Sequence, residues 1–221
     1  MTLEPSKTFI REIERNDGST LHIHQLEEGD VGSVVWDAAL VLVKYLEKQT
    51  RSDSLNGDKT SLLAGKNILE LGSGTGVVGI EAACHQDTCV TITDLATFVP
   101  LMQCNIKRNC HLFRGQIRAR ELQWGCDVSQ FDPVDVLLLA DCVYYRASID
   151  QLLQTVCELA DENTVVYCAY EDREIGNKTE LQEYFRAGME KVFNMTKLPS
   201  SEMDPVFRSD DIHILKFCKQ K

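Results

Sequence analysis

The chain has 221 residues, of which 43% are hydrophobic and nine are cysteine, and its formal net charge is −11. That length suits one large domain better than two small ones, and the apolar fraction can supply a substantial core. The charge repels phosphate backbones, which argues against nucleic acid as a main partner, and no run of about 18 apolar residues is present to cross a membrane. The opening "MTLEPSKTFIREIERNDG" lacks the apolar stretch of a secretory signal. An odd number of cysteines, without CxxC pairs or paired histidines, argues against a disulfide framework or a metal site and points to a reducing, cytoplasmic setting. The acidic surface suits a cationic target such as a lysine-bearing protein segment.

In chain order, "TFIREIE" (8–14) and "STLHIHQL" (19–26) flank Asp17-Gly18, a hairpin turn signal. "VVWDAALVLVKYLEKQ" (34–49) has apolar residues at helical spacing, which places Trp36 in a helix, and "TRSDSLNGDKTS" (50–61) is polar and turn-rich, as an exposed loop should be. From residue 67 strands and helices alternate. "NILEL" and "CVTIT" read as strands with "GVVGIEAACHQ" as the helix between them, "ATFVPLMQCNIKRNCHLF" is helical, and "QIRARELQW" alternates as a strand. "VDVLLLAD" (134–141) is apolar almost throughout, as a central parallel strand buried on both faces is. "SIDQLLQTVCELA" and "TELQEYFRAGMEKV" are helical, while "NTVVYCAYE" and "DIHILKFCK" are strands. The expected fold is therefore α/β, a doubly wound, mostly parallel sheet with an N-terminal hairpin and helix over residues 1–49 and a Rossmann-like core over 62–221, all in one domain. Ligands of such sheets bind beyond the carboxyl ends of the strands, which selects the loops at 70–76, 94, 122–124, 140–144 and 170–173.

The turn after "NILEL" places glycine at 72, 74 and 76. A dinucleotide fingerprint would continue to glycine at 77, where Val77 stands, and a P-loop would require Gly-Lys-Ser/Thr, which is absent. With no lysine to hold phosphates, a ligand without phosphate is expected. Asp94, at the tip of the second core strand, can accept both hydroxyls of a ribose, or alternatively cap the next helix. A bare turn, an acidic strand end and no basic group suit a nucleoside that carries a sulfonium and an ammonium, which describes S-adenosyl-L-methionine. Trp124 follows the third core strand, where its indole can flank an adenine or pack in the core, and core packing is the plainer role for Trp36. Asp141 leaves the most apolar strand with Tyr144 three residues on, and a carboxylate there is costly without a task or partner. The five histidines show no metal spacing and no evident carboxylate partner, and no metal is expected.

The strings "LELGSGTG", "ITDL", "LQWG" and "LLADCVYY" occur in this order, with "VGSVVWDAALVLVKYLE" before them and "CAYEDR" and "FRSDDIHILKF" after. Together they resemble the methyltransferase-like 21 group of seven-β-strand protein lysine methyltransferases. The resemblance implies a seven-stranded sheet and an S-adenosylmethionine-dependent enzyme. It implies that Gly72, Ser73 and Gly74 line the methionine and ribose of the cofactor, that Asp94 holds the ribose and that Trp124 lies by the adenine. It further implies that Trp36 closes over the cofactor, that Ala140 offers backbone beside it, and that Asp141 and Tyr144 sit between sulfonium and incoming amine. The group member most resembled methylates valosin-containing protein, an AAA-type ATPase, so a protein substrate of that kind and a monomeric enzyme are expected.

Competing functions leave weaker traces. Neither Asn/Asp-Pro-Pro-Tyr/Phe nor a Pro-Cys nucleophile occurs, as a nucleic-acid methyltransferase would have, and "DCVYY" lacks the paired glutamates of an arginine methyltransferase. An NAD-dependent oxidoreductase is disfavoured by Val77. A lysine methyltransferase of another substrate, such as a chaperone, and a non-catalytic binding module for the ATPase remain as alternatives.

Overall fold

The computed structural model describes residues 7–51, 62–173 and 178–220; most of the polar stretch at 50–61 lies outside them. Nine strands and five α-helices follow one another as β1 (Thr8–Glu14), β2 (Thr20–Leu26), α1 (Asp37–Arg51), β3 (Asn67–Leu71), α2 (Val77–Ala83), β4 (Cys89–Asp94), α3 (Val99–Asn109), β5 (Gln116–Glu121), β6 (Val136–Ala140), α4 (Arg146–Leu159), β7 (Val165–Glu171), α5 (Lys178–Glu190), β8 (Phe193–Lys197) and β9 (Ile212–Lys219) among the described residues. Seven strands form one sheet in the order β5-β4-β3-β6-β7-β9-β8. The five from β5 to β7 are parallel, and β9 runs antiparallel to both its neighbours. This is a doubly wound, Rossmann-like sheet with an antiparallel edge, as expected. The chain winds outward from β3 to β5, then returns to β6 on the other side of β3, so the order reverses between β3 and β6. That reversal opens a crevice at their carboxyl ends.

The period-2 alternation of β6 explains why its sequence is apolar without interruption. Val136 and Leu138 point into the layer formed with α1 and α2, and Leu137 and Leu139 point into the layer formed with α4 and α5. Each of the four is at most 3% exposed. Ile80 of α2 and Leu42 and Leu46 of α1 fill the first layer; Leu152 and Val156 of α4 and Phe185 and Met189 of α5 fill the second.

Outside the sheet, β1 and β2 pair as an antiparallel hairpin whose turn places Gly18 at φ +85°. The hairpin is fixed to α3 by two asparagines one helical turn apart. Asn105 accepts the His24 N–H (2.7 Å) and donates to its carbonyl (3.0 Å), and Asn109 does the same with His22 (2.9 and 3.0 Å). Both asparagines are fully buried, so a side-chain amide replaces the missing neighbour strand along β2. This clamp directs residues 27–36 back across the carboxyl end of the sheet.

Two expectations need correction here. Trp36 is not inside α1: the helix begins at Asp37, and the Trp36 carbonyl accepts the N–H groups of Ala39 and Leu40 as the residue that starts the first turn. Strand β8 has no counterpart in the expected elements. Only Phe193 of its five residues is buried, so this edge strand lacks an alternating signal.

Candidate active site

The turn after β3 is made rigid by β4. Ser73 N–H donates to the Thr93 carbonyl (3.0 Å), Ser73 Oγ accepts the Thr93 N–H (3.0 Å), and Asp94 Oδ2 accepts the Gly74 N–H (2.7 Å). Asp94 Oδ1 takes the Leu95 N–H at 2.7 Å. The carboxylate therefore caps the following turn and anchors the glycine loop, while its side chain still faces the cavity. Burial raises its proton affinity, opposed by these two backbone donors. Glu70, buried beneath the loop, accepts the Gly79 N–H of α2 (2.9 Å), and burial pushes its carboxyl up to about 8.

Two of the glycines are irreplaceable for distinct reasons. Gly72 sits at φ +61°, and a Cβ there would lie 2.9 Å from the Trp124 ring. Gly74 sits at φ +52°, and its Cβ would lie 2.5 Å from the Gly32 carbonyl oxygen, a backbone atom that cannot swing aside. Gly32 belongs to the segment that the hairpin directs over the sheet. The bare turn therefore has indole above one glycine and backbone against the other.

At the tip of β6, Asp141 has φ +54°, an unfavourable conformation for a residue with a Cβ. It is held there by its N–H on the Ala169 carbonyl (2.8 Å) and by an ion pair between Asp141 Oδ2 and Arg173 Nη2 (2.6 Å). Arg173 also binds Glu171 through Nε (3.0 Å) and Nη2 (2.7 Å), and its guanidinium stacks on Trp36 at 4.6 Å. Trp36 donates its indole N–H to the Val31 carbonyl (2.7 Å). Tyr144 stands edge-on to Tyr145 with ring centres 4.7 Å apart, and burial raises the proton affinity of its phenolate.

Glu70, the glycine turn, Asp94, Asp141, Tyr144, Tyr145, Trp36 and Arg173 line one cavity of about 700 Å³. Its walls include every position singled out from sequence: Trp36, Gly72, Ser73, Gly74, Asp94, Trp124, Ala140, Asp141 and Tyr144. Sequence reading missed Asp30, Val31, Gly32, Val34, Val35 and Phe98, which also line it, and gave no role to Arg173, which stands in the selected loop 170–173. The glycine loop and Asp94 carry no basic group, but Arg173 and Arg146 stand elsewhere in the wall. His213, expected to have no carboxylate partner, holds Asp172 Oδ2 at 2.7 Å. No cluster of three or more His, Cys, Asp or Glu side chains suited to a metal occurs among the described residues, nor any helix long and apolar enough to cross a membrane.

Comparison with known proteins gives the family of the chain. A family model described as "Lysine methyltransferase" matches residues 15–191. Mouse protein N-lysine methyltransferase METTL21A is 34% identical over 86% of this chain and 78% of its own length. Mouse EEF1A lysine methyltransferase 3 is 39% identical over 63% of this chain and 55% of its own. Among solved structures, a TehB-like SAM-dependent methyltransferase from Corynebacterium glutamicum superposes with a TM-score of 0.51 at 14% identity, covering 86% of this chain and 90% of that one. The chain belongs to the lysine methyltransferase family, among the methyltransferase-like 21 enzymes, and is an S-adenosylmethionine-dependent protein-lysine methyltransferase.

Proposed function

We propose that this enzyme methylates a lysine of valosin-containing protein, the AAA-type ATPase, as a single-domain, cytoplasmic monomer. The observation that carries the site assignment is the shared cavity, which joins the glycine turn and Asp94 to Asp141 and Tyr144. The residues present suit the methyl donor. A Cβ at Gly72 or Gly74 would collide with Trp124 or Gly32, so the turn stays bare where it lines the cavity. The carboxylates of Asp30, Asp94 and Asp141 favour a cationic ligand, and the two cations of the wall, Arg173 and Arg146, are already paired with Asp141 and Asp150. Gly72, Ser73 and Gly74 would hold the methionine and ribose portion, Asp94 the ribose hydroxyls, Trp124 the adenine, Ala140 backbone contacts, and Trp36 would cover the donor from the solvent side.

When bound, S-adenosylmethionine supplies a methyl group already activated by positive sulfur. The protein's part is to align a lysine with that methyl and exclude water. Lysine, with an ordinary pKa of about 10.4, arrives as ammonium and must lose a proton to water before its nitrogen lone pair can form the N–C bond. Transfer to that lone pair would leave the lysine as a methylated ammonium and the donor as a neutral thioether, so the chain's residues need supply no further proton or leaving-group acid. Asp141 fixes the direction of the amine through its rigid, left-handed backbone position, and Tyr144 narrows the passage so that one side chain enters.

Support for the ATPase comes from the combination of strings at the four strand ends with "VGSVVWDAALVLVKYLE" before them and "CAYEDR" and "FRSDDIHILKF" after. A second substrate, elongation factor 1A, is favoured by the 39% identity to a methyltransferase of that factor. Incubating the enzyme with labelled methyl donor and each purified protein separates them. Label on a lysine of the ATPase supports the first, label only on the elongation factor selects the second, and label on neither overturns both.

A further inference from the structure

Arg173 bridges three elements at the cavity's mouth. It joins Asp141 at the end of β6 to Glu171 at the end of β7, and its guanidinium lies over the ring of Trp36, in the segment that precedes α1, at 4.6 Å. Its side chain is 20% exposed, and those of Asp141 and Glu171 are 10% and 26% exposed, so the charges interact at low dielectric. Burial opposes the guanidinium's charge, but the bonds from Glu171 and the charge of Asp141 more than offset this and raise its proton affinity further. Arginine is therefore a permanent cation here, at the point where the substrate's amine meets Asp141 under the reading above.

An Asp141 with no cation beside it would be a poor partner for this reaction. A bare pair of carboxylates would hold the incoming lysine as ammonium, the form that cannot attack. With Arg173 in place, the cluster Asp141–Glu171–Arg173 carries one net negative charge instead of two. We infer that Arg173 is a positioning residue for methyl transfer: it keeps Asp141 aimed into the cavity while its fixed positive charge lowers the proton affinity of the substrate lysine. The proton leaves to solvent, and no protein group need accept it. The stacking on Trp36 adds a link from the amine side of the cavity to its cofactor side, since Trp36 is tied to Val31 and the Gly32 carbonyl lies against Gly74.

The proposal rests on the site assignment above, and its test is a pH–rate profile for kcat on whichever protein substrate the wild type labels. The charged and titratable groups facing this point are Asp141, Glu171 and Tyr144, with Asp30, Asp94, Glu70 and Arg146 on the other walls and the Asp172–His213 pair behind Glu171. Arg173→Gln is expected to move the rising, acid-side limb, which reports deprotonation of the lysine, up by about one pH unit or more, with a rate loss near neutrality of about tenfold. Arg173→Lys keeps the charge and should leave the limb where it is, whatever it does to the rate. Glu171→Gln removes a negative charge and should move the limb down, which supplies a second reading should Arg173→Gln not fold. A substrate bearing aminoethylcysteine, a less basic amine, should recover part of the Arg173→Gln loss. Profiles for Arg173→Gln and Glu171→Gln that superimpose on the wild type, or a shift shared by Arg173→Lys and Arg173→Gln, overturn the inference. A wild type that labels no lysine fails the site assignment instead.

Discussion

The bare turn makes the most quantitative prediction, through Gly74→Ala. Placing a Cβ at φ +52° costs about 1–2 kcal/mol in local backbone energy. The same Cβ would lie 2.5 Å from the Gly32 carbonyl oxygen, so the segment carrying Gly32 and Trp36 must retreat, and overpacking of this kind costs about 1–3 kcal/mol. The sum is a stability loss of about 2–5 kcal/mol. Because the strain falls on the loop beside the cavity, affinity for S-adenosylhomocysteine should fall at least tenfold as well. Gly18→Ala is the control: its φ is +85° but nothing lies within 4 Å of the added Cβ, so it should lose only about 1–2 kcal/mol and bind the ligand normally. Urea unfolding gives the stabilities and titration calorimetry gives the affinities. Wild-type ligand affinity in Gly74→Ala, or an equal loss in Gly18→Ala, would refute the reasoning.

Three further variants test the remaining walls. Asp94→Asn keeps an acceptor for the Gly74 N–H but removes the charge, and should weaken methyl-donor binding by about 10–100-fold in calorimetry with the fold retained, the scale of a lost charged hydrogen bond. Asp141→Ala should abolish lysine methylation, measured by label transfer, while the donor still binds; normal turnover would remove Asp141 from the mechanism. Glu70 is held protonated at neutrality by burial, with its carboxyl pushed up to about 8 from an ordinary 4.5. Its folded-state proton affinity is raised, so its contribution is complete below the unfolded value and is lost as pH rises from about 4.5 through about 8. Glu70→Gln mimics the protonated form and can still accept the Gly79 N–H. Thermal melts of variant and wild type should therefore coincide near pH ~5, with the variant gaining relative stability towards pH ~9.

The sheet was legible where sequence periodicity is strongest. "VLLLA" could only be a strand buried on both faces, and its alternate side chains do enter opposite layers. The glycine turn and Asp94 were legible because a left-handed turn and a carboxylate at adjacent strand tips have few other uses. Edge strand β8 was hidden because one buried side chain makes no pattern. Arg173 was hidden for another reason: its partner Asp141 lies 32 residues earlier, and only the pairing of β6 with β7 brings the two tips together. The segment from Asp30 to Ser33 has no periodicity, and its place over the glycine loop follows from the buried asparagines that anchor β2 to α3. Trp36 was placed one turn too deep because the apolar run before Asp37 continues the helical spacing, although the helix starts later.

The central claim is that the cavity at the ends of β3 and β6 delivers a methyl group to a lysine nitrogen, with Asp141 directing the amine. Peptide mass spectrometry of purified valosin-containing protein after incubation with S-adenosylmethionine and either wild-type or Asp141→Ala enzyme tests it most directly. Methylation confined to lysine with the wild type, and absent with the variant, is the expected result. Methylation of a different residue type, or equal lysine methylation by both proteins, contradicts the account.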